Sequence, residues 1–563
     1  MSQSRYSRPD PRKAPIRARS KPKSRPEFGL VIGAVIATGL AVGVAGFVLW
    51  RRTTQEAGGF AAIAQILPRE AQVVLAFNTD EAEWQKLGQF GTPASRRVIA
   101  QGIAQSPLSL LLKQGRMDFA QDVQPWLGDR ILTALVPTGQ SLPATLIIAK
   151  TKDKAKSDLF LSKYRDALTI QGANFSEKEY EGFKYWQSPS ADASTNIVTA
   201  SIDGKYIAIA TNAEVMQMVF NTYRNSQLSL AQTSAFRTAI AQPSEIAEPL
   251  VQAYLDGSVA LQLVSSDPQA SSQKIAAVTA SLGLQKEGLR LELDTHLQSA
   301  EDNIVPSPNR VLALLPDSAF LVVSGHNLAK SWQAIATQVK GNKNAEAVLE
   351  QVKKTIADHT GLDLEKELLP WLTGEFAIAL VTANQGILAN TGFGLAVLLQ
   401  TSDPQQSSAA LKKLDSKVAE AKGGLFPAGL EVNSSPEAVV WQVGSTVIAS
   451  RSVTNQGFVI WTMGELHQQF FPSPSRPLPD SANFRLLTTK LAGTNGGYFY
   501  LHMTTALGIM ERFLPAEVKA NNTYGDVRSV LDTIEGIAVT STALSDRIAR
   551  LEMLFTLKPI APN

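Results

Sequence analysis

Residues Met117–Val136 read MDFAQDVQPWLGDRILTALV, and residues Leu362–Val381 read LDLEKELLPWLTGEFAIALV. Pro125-Trp126-Leu127 matches Pro370-Trp371-Leu372, Asp118 matches Asp363, Asp122 matches Glu367, and Gly128 has a counterpart in Gly374. In both stretches an acidic, helix-like approach meets Pro-Trp-Leu, then a glycine, then a β-rich apolar run. Two such stretches in one chain of 563 residues define an internal repeat, and a chain of that length needs more than one core.

Working outward, the flanks match as well. Ile66-Leu67-Pro68, a strand-like Gln72–Phe77 and a helix with Trp84 answer to Leu314-Leu315-Pro316, Phe320–Ser324 and Trp332. Ala144–Lys150 and Gly394–Thr401 are β-like runs, each followed by a polar helix, Lys154–Tyr164 and Gln405–Lys417. Tyr206–Ala210 and Phe458–Trp461 each lead into a helix. Each copy ends in a hairpin, Ile275–Leu284 with Leu289–Leu297 and Gly536–Leu544 with Ile548–Leu557. Leu289, Leu291 and Leu293 alternate with Arg290, Glu292 and Asp294, the period of two expected of a half-buried strand. Strands joined by short turns, with helices interrupting irregularly, predict an α+β class with antiparallel sheets in two tandem related domains, 63–303 and 304–563. The Pro-rich Phe471–Asp480 is expected to be an extended loop.

The N-terminal region differs in kind. Residues 1–27 hold nine Arg/Lys, two acids and almost nothing apolar, so a disordered cytoplasmic tail is expected. Phe28–Trp50 is uncharged and apolar; as a helix it is about 34 Å long, enough to cross a bilayer core of about 30 Å. A cleaved signal peptide is the rival reading, but its apolar region is shorter as a rule. The charge excess before the span puts the tail in the cytoplasm and the body outside it, in the periplasm, an equivalent space or a thylakoid lumen. Residues 51–62 are a linker. The tail contributes +7 and Arg51-Arg52 another +2 to a total of +3, so residues 53–563 carry −6 and a nucleic-acid partner is not expected.

The Leu-Pro start, the helix tryptophan and the acidic Pro-Trp-Leu-Gly stretch behind one N-terminal span resemble the bacterial family called domain of unknown function 3352. The resemblance covers most of residues 60–560. It implies a membrane-anchored protein of a kind frequent in oxygenic photosynthetic bacteria, and it carries no catalytic residue.

The residues offer little chemistry. The absence of cysteine removes disulfides, thiolate metal sites and catalytic thiols. His296, His326, His359, His467 and His502 are scattered, with no His-Glu-x-x-His. Ser271-Ser272-Gln273-Lys274 matches Ser-x-x-Lys, but so does Ser20–Lys23 in the tail, and no Lys-Thr-Gly follows. Gly392-Phe393-Gly394 lacks the third glycine of a dinucleotide loop, and there is no P-loop. No cofactor or metal is expected. The signature Pro125, Trp126, Gly128, Pro370, Trp371 and Gly374 is either structural or partner-binding, with Trp126 and Trp371 read as core anchors. Asp118, Asp122, Asp363 and Glu367 are read as capping groups rather than an acid–base pair. Together these features predict a non-catalytic binding or scaffold protein of the cell envelope, with the membrane and an unknown protein or apolar ligand as partners. The alternatives are an extracytoplasmic hydrolase, which needs a polar cleft of distant residues, and a carrier for apolar ligands, which needs a deep apolar cavity.

Overall fold

A computed structural model describes residues 60–104, 112–139, 142–189, 196–264, 275–300, 304–339, 343–420, 429–435 and 438–560. The basic tail, the span Phe28–Trp50, most of the linker and Ser271–Lys274 lie outside these residues. Among the described residues no helix is long and apolar enough to cross a membrane.

The class is α+β. Among the described residues ten strands precede residue 300: β1 (Val73–Asn78), β2 (Leu127–Val136), β3 (Ala144–Thr151), β4 (Ser176–Tyr180), β5 (Phe183–Ser188), β6 (Ile197–Ile202), β7 (Tyr206–Ala210), β8 (Val251–Asp256), β9 (Ile275–Gln285) and β10 (Gly288–Leu297). Ten follow: β11 (Ala319–His326), β12 (Glu375–Thr382), β13 (Phe393–Gln400), β14 (Glu431–Ser434), β15 (Val439–Val443), β16 (Thr446–Val453), β17 (Phe458–Met463), β18 (Tyr498–His502), β19 (Ile534–Ser545) and β20 (Ile548–Leu557). The first ten pair in the order β4-β5-β6-β7-β3-β2-β1-β8-β9-β10. The second ten pair as β14-β15-β16-β17-β13-β12-β11-β18-β19-β20. Every pairing is antiparallel. β10 then pairs with β20, which joins all twenty into one sheet.

One face of this sheet carries the two largest cores. Val74, Ala76, Leu132, Ala134, Leu146 and Ile148 pack there against Val219 and Phe220 of the helix Ala213–Arg224 and Phe236 of the helix Ser234–Ile240. Beyond the seam, Val322, Ala377, Ala379, Ala396 and Leu398 pack against Phe470, Phe484 and Leu487. The opposite face is covered over the outer strands. The helix Lys154–Ile170, capped by Asp153, lays Phe160, Leu161, Tyr164 and Leu168 on Ile131, Ala149, Ile207 and Ile209. The helix Pro404–Glu420, whose first turn is capped by Asp403, buries Ala410, Leu411, Leu414 and Val418 in the corresponding place. In both helices the buried positions recur at three- and four-residue spacing, the stripe of an amphipathic helix.

Over the inner strands the opposite face is much less covered. Val323 and Ile378 there are each 38% exposed and Leu395 is 42% exposed, while Leu75, Phe77, Leu291, Leu293, Leu551 and Met553 are half-buried. The alternation in Leu289–Leu297 is present as predicted, with the buried side made by the charged residues: Arg290, Glu292 and Asp294 are all under 9% exposed.

Candidate functional site

Each Pro-Trp-Leu follows a single wide, π-type helical turn, closed by Gln124 N donating to Phe119 O in one copy and Leu369 N to Leu364 O in the other. Asp118 caps the turn Phe119–Val123, its carboxylate accepting from Gln121 N at 2.9 Å, and Asp122 Oδ2 accepts from Asp118 N at 2.9 Å. Asp363 caps the turn Leu364–Leu368 through Glu365 N and Lys366 N, both at 2.9 Å, and Glu367 Oε2 accepts from Asp363 N at 2.8 Å. Two acids thus satisfy orphan N–H donors reciprocally at the start of each turn, the logic of a capping box. Lys163 reaches Asp122 at 3.0 Å and Lys413 reaches Glu367 at 2.6 Å. Burial alone would raise the Asp122 carboxyl; the Asp118 N–H and the Lys163 ammonium outweigh it and hold the group below its usual value. The Lys413 hydrogen bond does the same for Glu367, and the Lys366 N–H for Asp363. These carboxylates are engaged as caps and ion pairs. None faces another as an acid–base pair would.

The tryptophans point inward. Trp126 is 2% and Trp371 0% exposed, and each indole N–H donates to the carbonyl four residues back: Asp122 O at 2.7 Å and Glu367 O at 2.8 Å. Pro125 and Pro370 sit on the turns, where no backbone N–H is needed. The glycines permit close approach of the next strand. A Cβ on Gly128 would stand 2.9 Å from Lys150 O, and one on Gly374 2.9 Å from Gln400 O. Trp84 is 2% exposed and bonded to Asn78 O, whereas Trp332 is half-buried and reaches Glu365 at 3.2 Å.

A second cluster spans the β10–β20 seam, where Glu292 lies opposite Glu552 and Asp294 opposite Arg550. Arg290 Nη2 contacts Glu552 at 2.5 Å, Glu245 at 2.7 Å and Glu292 at 3.2 Å. Arg550 holds Asp294 with two bonds of 2.7 and 2.8 Å, and donates to Pro243 O. Those bonds hold the Arg550 guanidinium above its usual value. Glu292 Oε2 takes Ser244 Oγ and Glu245 N, and Glu552 Oε2 takes Ala492 N. The carboxylates of Glu245, Glu292 and Glu552 converge as metal ligands would, but the Arg290 guanidinium already stands among them as their shared cation. The sequence signal for this cluster was the run of charge inside a β pattern, which is costly to bury unless it is paired.

Among the described histidines, His296 is buried next to Asp294, and burial pushes its imidazole below the usual value. Its Nε2 is 3.4 Å from Thr279 Oγ1, its Nδ1 has no hydrogen bond, and Asp294 is committed to Arg550, so these residues form no relay. His502 is bonded to Asn483 and Thr505. Gly392 and Gly394 flank the start of β13, a strand rather than a dinucleotide loop.

Three cavities frame the ligand question. One, about 690 Å³, is polar and open, with Asn384, Gln385, Glu465, Gln468 and Arg512 on its wall. A second, about 290 Å³, reaches Glu292 and Asp294. The one beside Trp126 is apolar but only about 30 Å³, the room of a single water and too small for an apolar ligand.

This is the architecture of a large-sheet α+β protein with a buried, fully engaged signature. The chain belongs to the family described as protein of unknown function (DUF3352), whose model matches residues 30–557. No curated protein matches it. Among solved structures, crystal form III of TP0453 is similar at 12% identity and a TM-score of 0.25, covering 43% of this chain and 81% of that one. Crystal form I of TP0453 gives 11% identity and a TM-score of 0.25, covering 45% and 83%. Likeness at that level carries no functional argument.

Proposed function

We propose that this chain is a single-span, non-catalytic binding or scaffold protein of the cell envelope, its body outside the cytoplasm and built from two copies of one α+β unit, residues 63–303 and 304–563. The matching strand orders and the matching Pro-Trp turns support the duplication. The observation that carries the binding role is the sheet face over the inner strands, where exposed Val323 lies opposite exposed Ile378, and exposed Leu395 lies opposite Leu380, two residues further along on the same face. An apolar sheet face left open in water costs free energy, and a contiguous open patch marks an interaction surface. The buried Trp126 and Trp371 build the frame that presents it.

Photo-crosslinking in intact cells tests this reading. A photoreactive residue at Leu395 or Ile378 is expected to give discrete adducts, whereas one at Ile170, which is 76% exposed on a helix end, is expected to give none. Equal labelling at all three positions removes the sheet face as the binding surface. Protease added to spheroplasts is expected to degrade the body; protection would place it in the cytoplasm.

A further inference from the structure

The β12–β13 connection departs from the repeat. It runs over residues 383–392, three residues longer than the β2–β3 connection at 137–143. It forms one wall of the polar cavity of about 690 Å³. Two of its glycines take left-handed backbone, Gly386 at φ +53° and Gly392 at φ +78°, and each makes room for a charged side chain. A Cβ on Gly386 would stand 3.0 Å from Cγ and 3.3 Å from Oε1 of Glu465, and one on Gly392 would collide with the Arg512 guanidinium. Glu465 stands on the turn Gly464–Leu466, anchored by buried Leu466. Arg512 stands on the helix Met503–Phe513, anchored by buried Leu507 and Ile509. A carboxylate and a guanidinium thus face one cavity from either end of one loop. Glu465 is half-buried and Arg512 exposed, so both are open to solvent. Among the described residues neither has an ion-pair partner, and they stand farther apart than the roughly 4 Å of a salt bridge. Glu465 Oε2 accepts from Gln468 Nε2 at 3.0 Å, and its Oε1 has no donor among the described residues. The side-chain amides of Asn384 and Gln385 line the same cavity and make no hydrogen bond among the described residues.

We propose that this cavity binds a short peptide with free termini, a dipeptide in the simplest case. Its carboxylate meets the Arg512 guanidinium, its ammonium meets Glu465, its peptide bond meets the amides of Asn384 and Gln385, and a small side chain lies against Leu388 and Ile509. A guanidinium forks onto a carboxylate with two charge-assisted hydrogen bonds. A side-chain amide offers a donor and an acceptor together, as a peptide bond requires. An extended dipeptide spans up to about 7 Å, so its two ends can satisfy opposite charges that do not reach each other. A simple anion would leave Glu465 facing it, and a simple cation would leave Arg512. The volume lies within the range of small-molecule sites.

The probe is the dipeptide alanylalanine, with its N-acetyl form, its C-terminal amide and free alanine as controls. Saturation-transfer NMR and calorimetry are run on the full chain in detergent. The dipeptide is expected to bind with a Kd of about 1 mM, and each control at least about tenfold more weakly. Arg512→Gln and Glu465→Gln break no ion pair, and each is expected to weaken the dipeptide about tenfold while erasing one discrimination. Arg512→Gln erases the preference over the amide, and Glu465→Gln the preference over the acetylated form. A merely structural role would lower all affinities alike and keep both preferences. No saturable binding of the dipeptide, equal binding of either blocked form or of alanine, or unaltered preferences in the folded variants overturns the proposal. The blocked peptides on the unchanged protein decide it even should a variant fail to fold. Neither residue belongs to β11, β12 or β13, so crosslinking at the exposed sheet face reads a separate surface.

Discussion

Replacing Trp371 by alanine is the sharpest test of how the Pro-Trp turns work. The indole is fully buried among Leu364, Leu369, Leu372, Phe376, Leu399 and Ala410, and its N–H bonds Glu367 O at 2.8 Å. A tryptophan buries roughly 200 Å², which at about 25 cal/mol per Å² is worth about 5 kcal/mol. Alanine retains a minor share of that, and the lost hydrogen bond adds about 1 kcal/mol. The expected loss is therefore about 4–5 kcal/mol, at the upper end for large aromatic-to-alanine changes. Trp126 already borders a small void, so Trp126→Ala is expected to cost less, about 3–4 kcal/mol. Trp371→Phe keeps most of the ring contact and loses the bond, for about 1–2 kcal/mol. Urea unfolding of the full chain in detergent, followed by far-ultraviolet circular dichroism, should rank the variants in that order. A Trp371→Ala protein of unchanged stability that loses its crosslinks at Leu395 would refute the reasoning and make the turn a recognition element.

Three further outcomes follow from the same geometry. Gly374→Ala and Gly128→Ala push a methyl against a neighbouring strand's carbonyl oxygen and are expected to lower stability by about 1–3 kcal/mol each, read from urea midpoints. Glu552→Gln takes the 2.5 Å carboxylate partner from buried Arg290 and is expected to cost about 3 kcal/mol, whereas Arg290→Met leaves buried Glu292 and Glu552 without their shared cation and is expected to cost more; urea midpoints showing Arg290→Met as the milder change would show that the guanidinium does not hold the cluster together. His296 is held below its ordinary value of 6.5 chiefly by burial, so the unfolded chain takes up the proton first and stability falls as the pH drops below 6.5. In His296→Gln that slope should flatten, as urea midpoints on either side of that pH will show.

Much of the frame was legible because local signals repeat in the chain. The acids before Pro-Trp read as caps because short polar side chains serve helix starts, and Asp118 and Asp363 do so. The terminal hairpins read correctly because alternation over ten residues has few other meanings. The strand β4 gives no signal in the sequence, since SEKEY is largely exposed and carries no apolar alternation. Trp332, the counterpart of buried Trp84, is only half-buried, its helix lying at the edge of a smaller core.

The sequence by itself determined that Leu289–Leu297 and Ile548–Leu557 are strands, each with one apolar and one charged side. It could not determine which side faces inward. Hydrophobicity alone would bury Leu291 and Leu293 and leave Arg290, Glu292 and Asp294 in water. The tertiary structure reverses this, because β10 and β20 meet and bring Arg290 to Glu552 across 262 residues of chain, and Arg550 to Asp294 across 256. A charge can be buried only where its partner is already in place, and those partners become neighbours only once the two halves share one sheet.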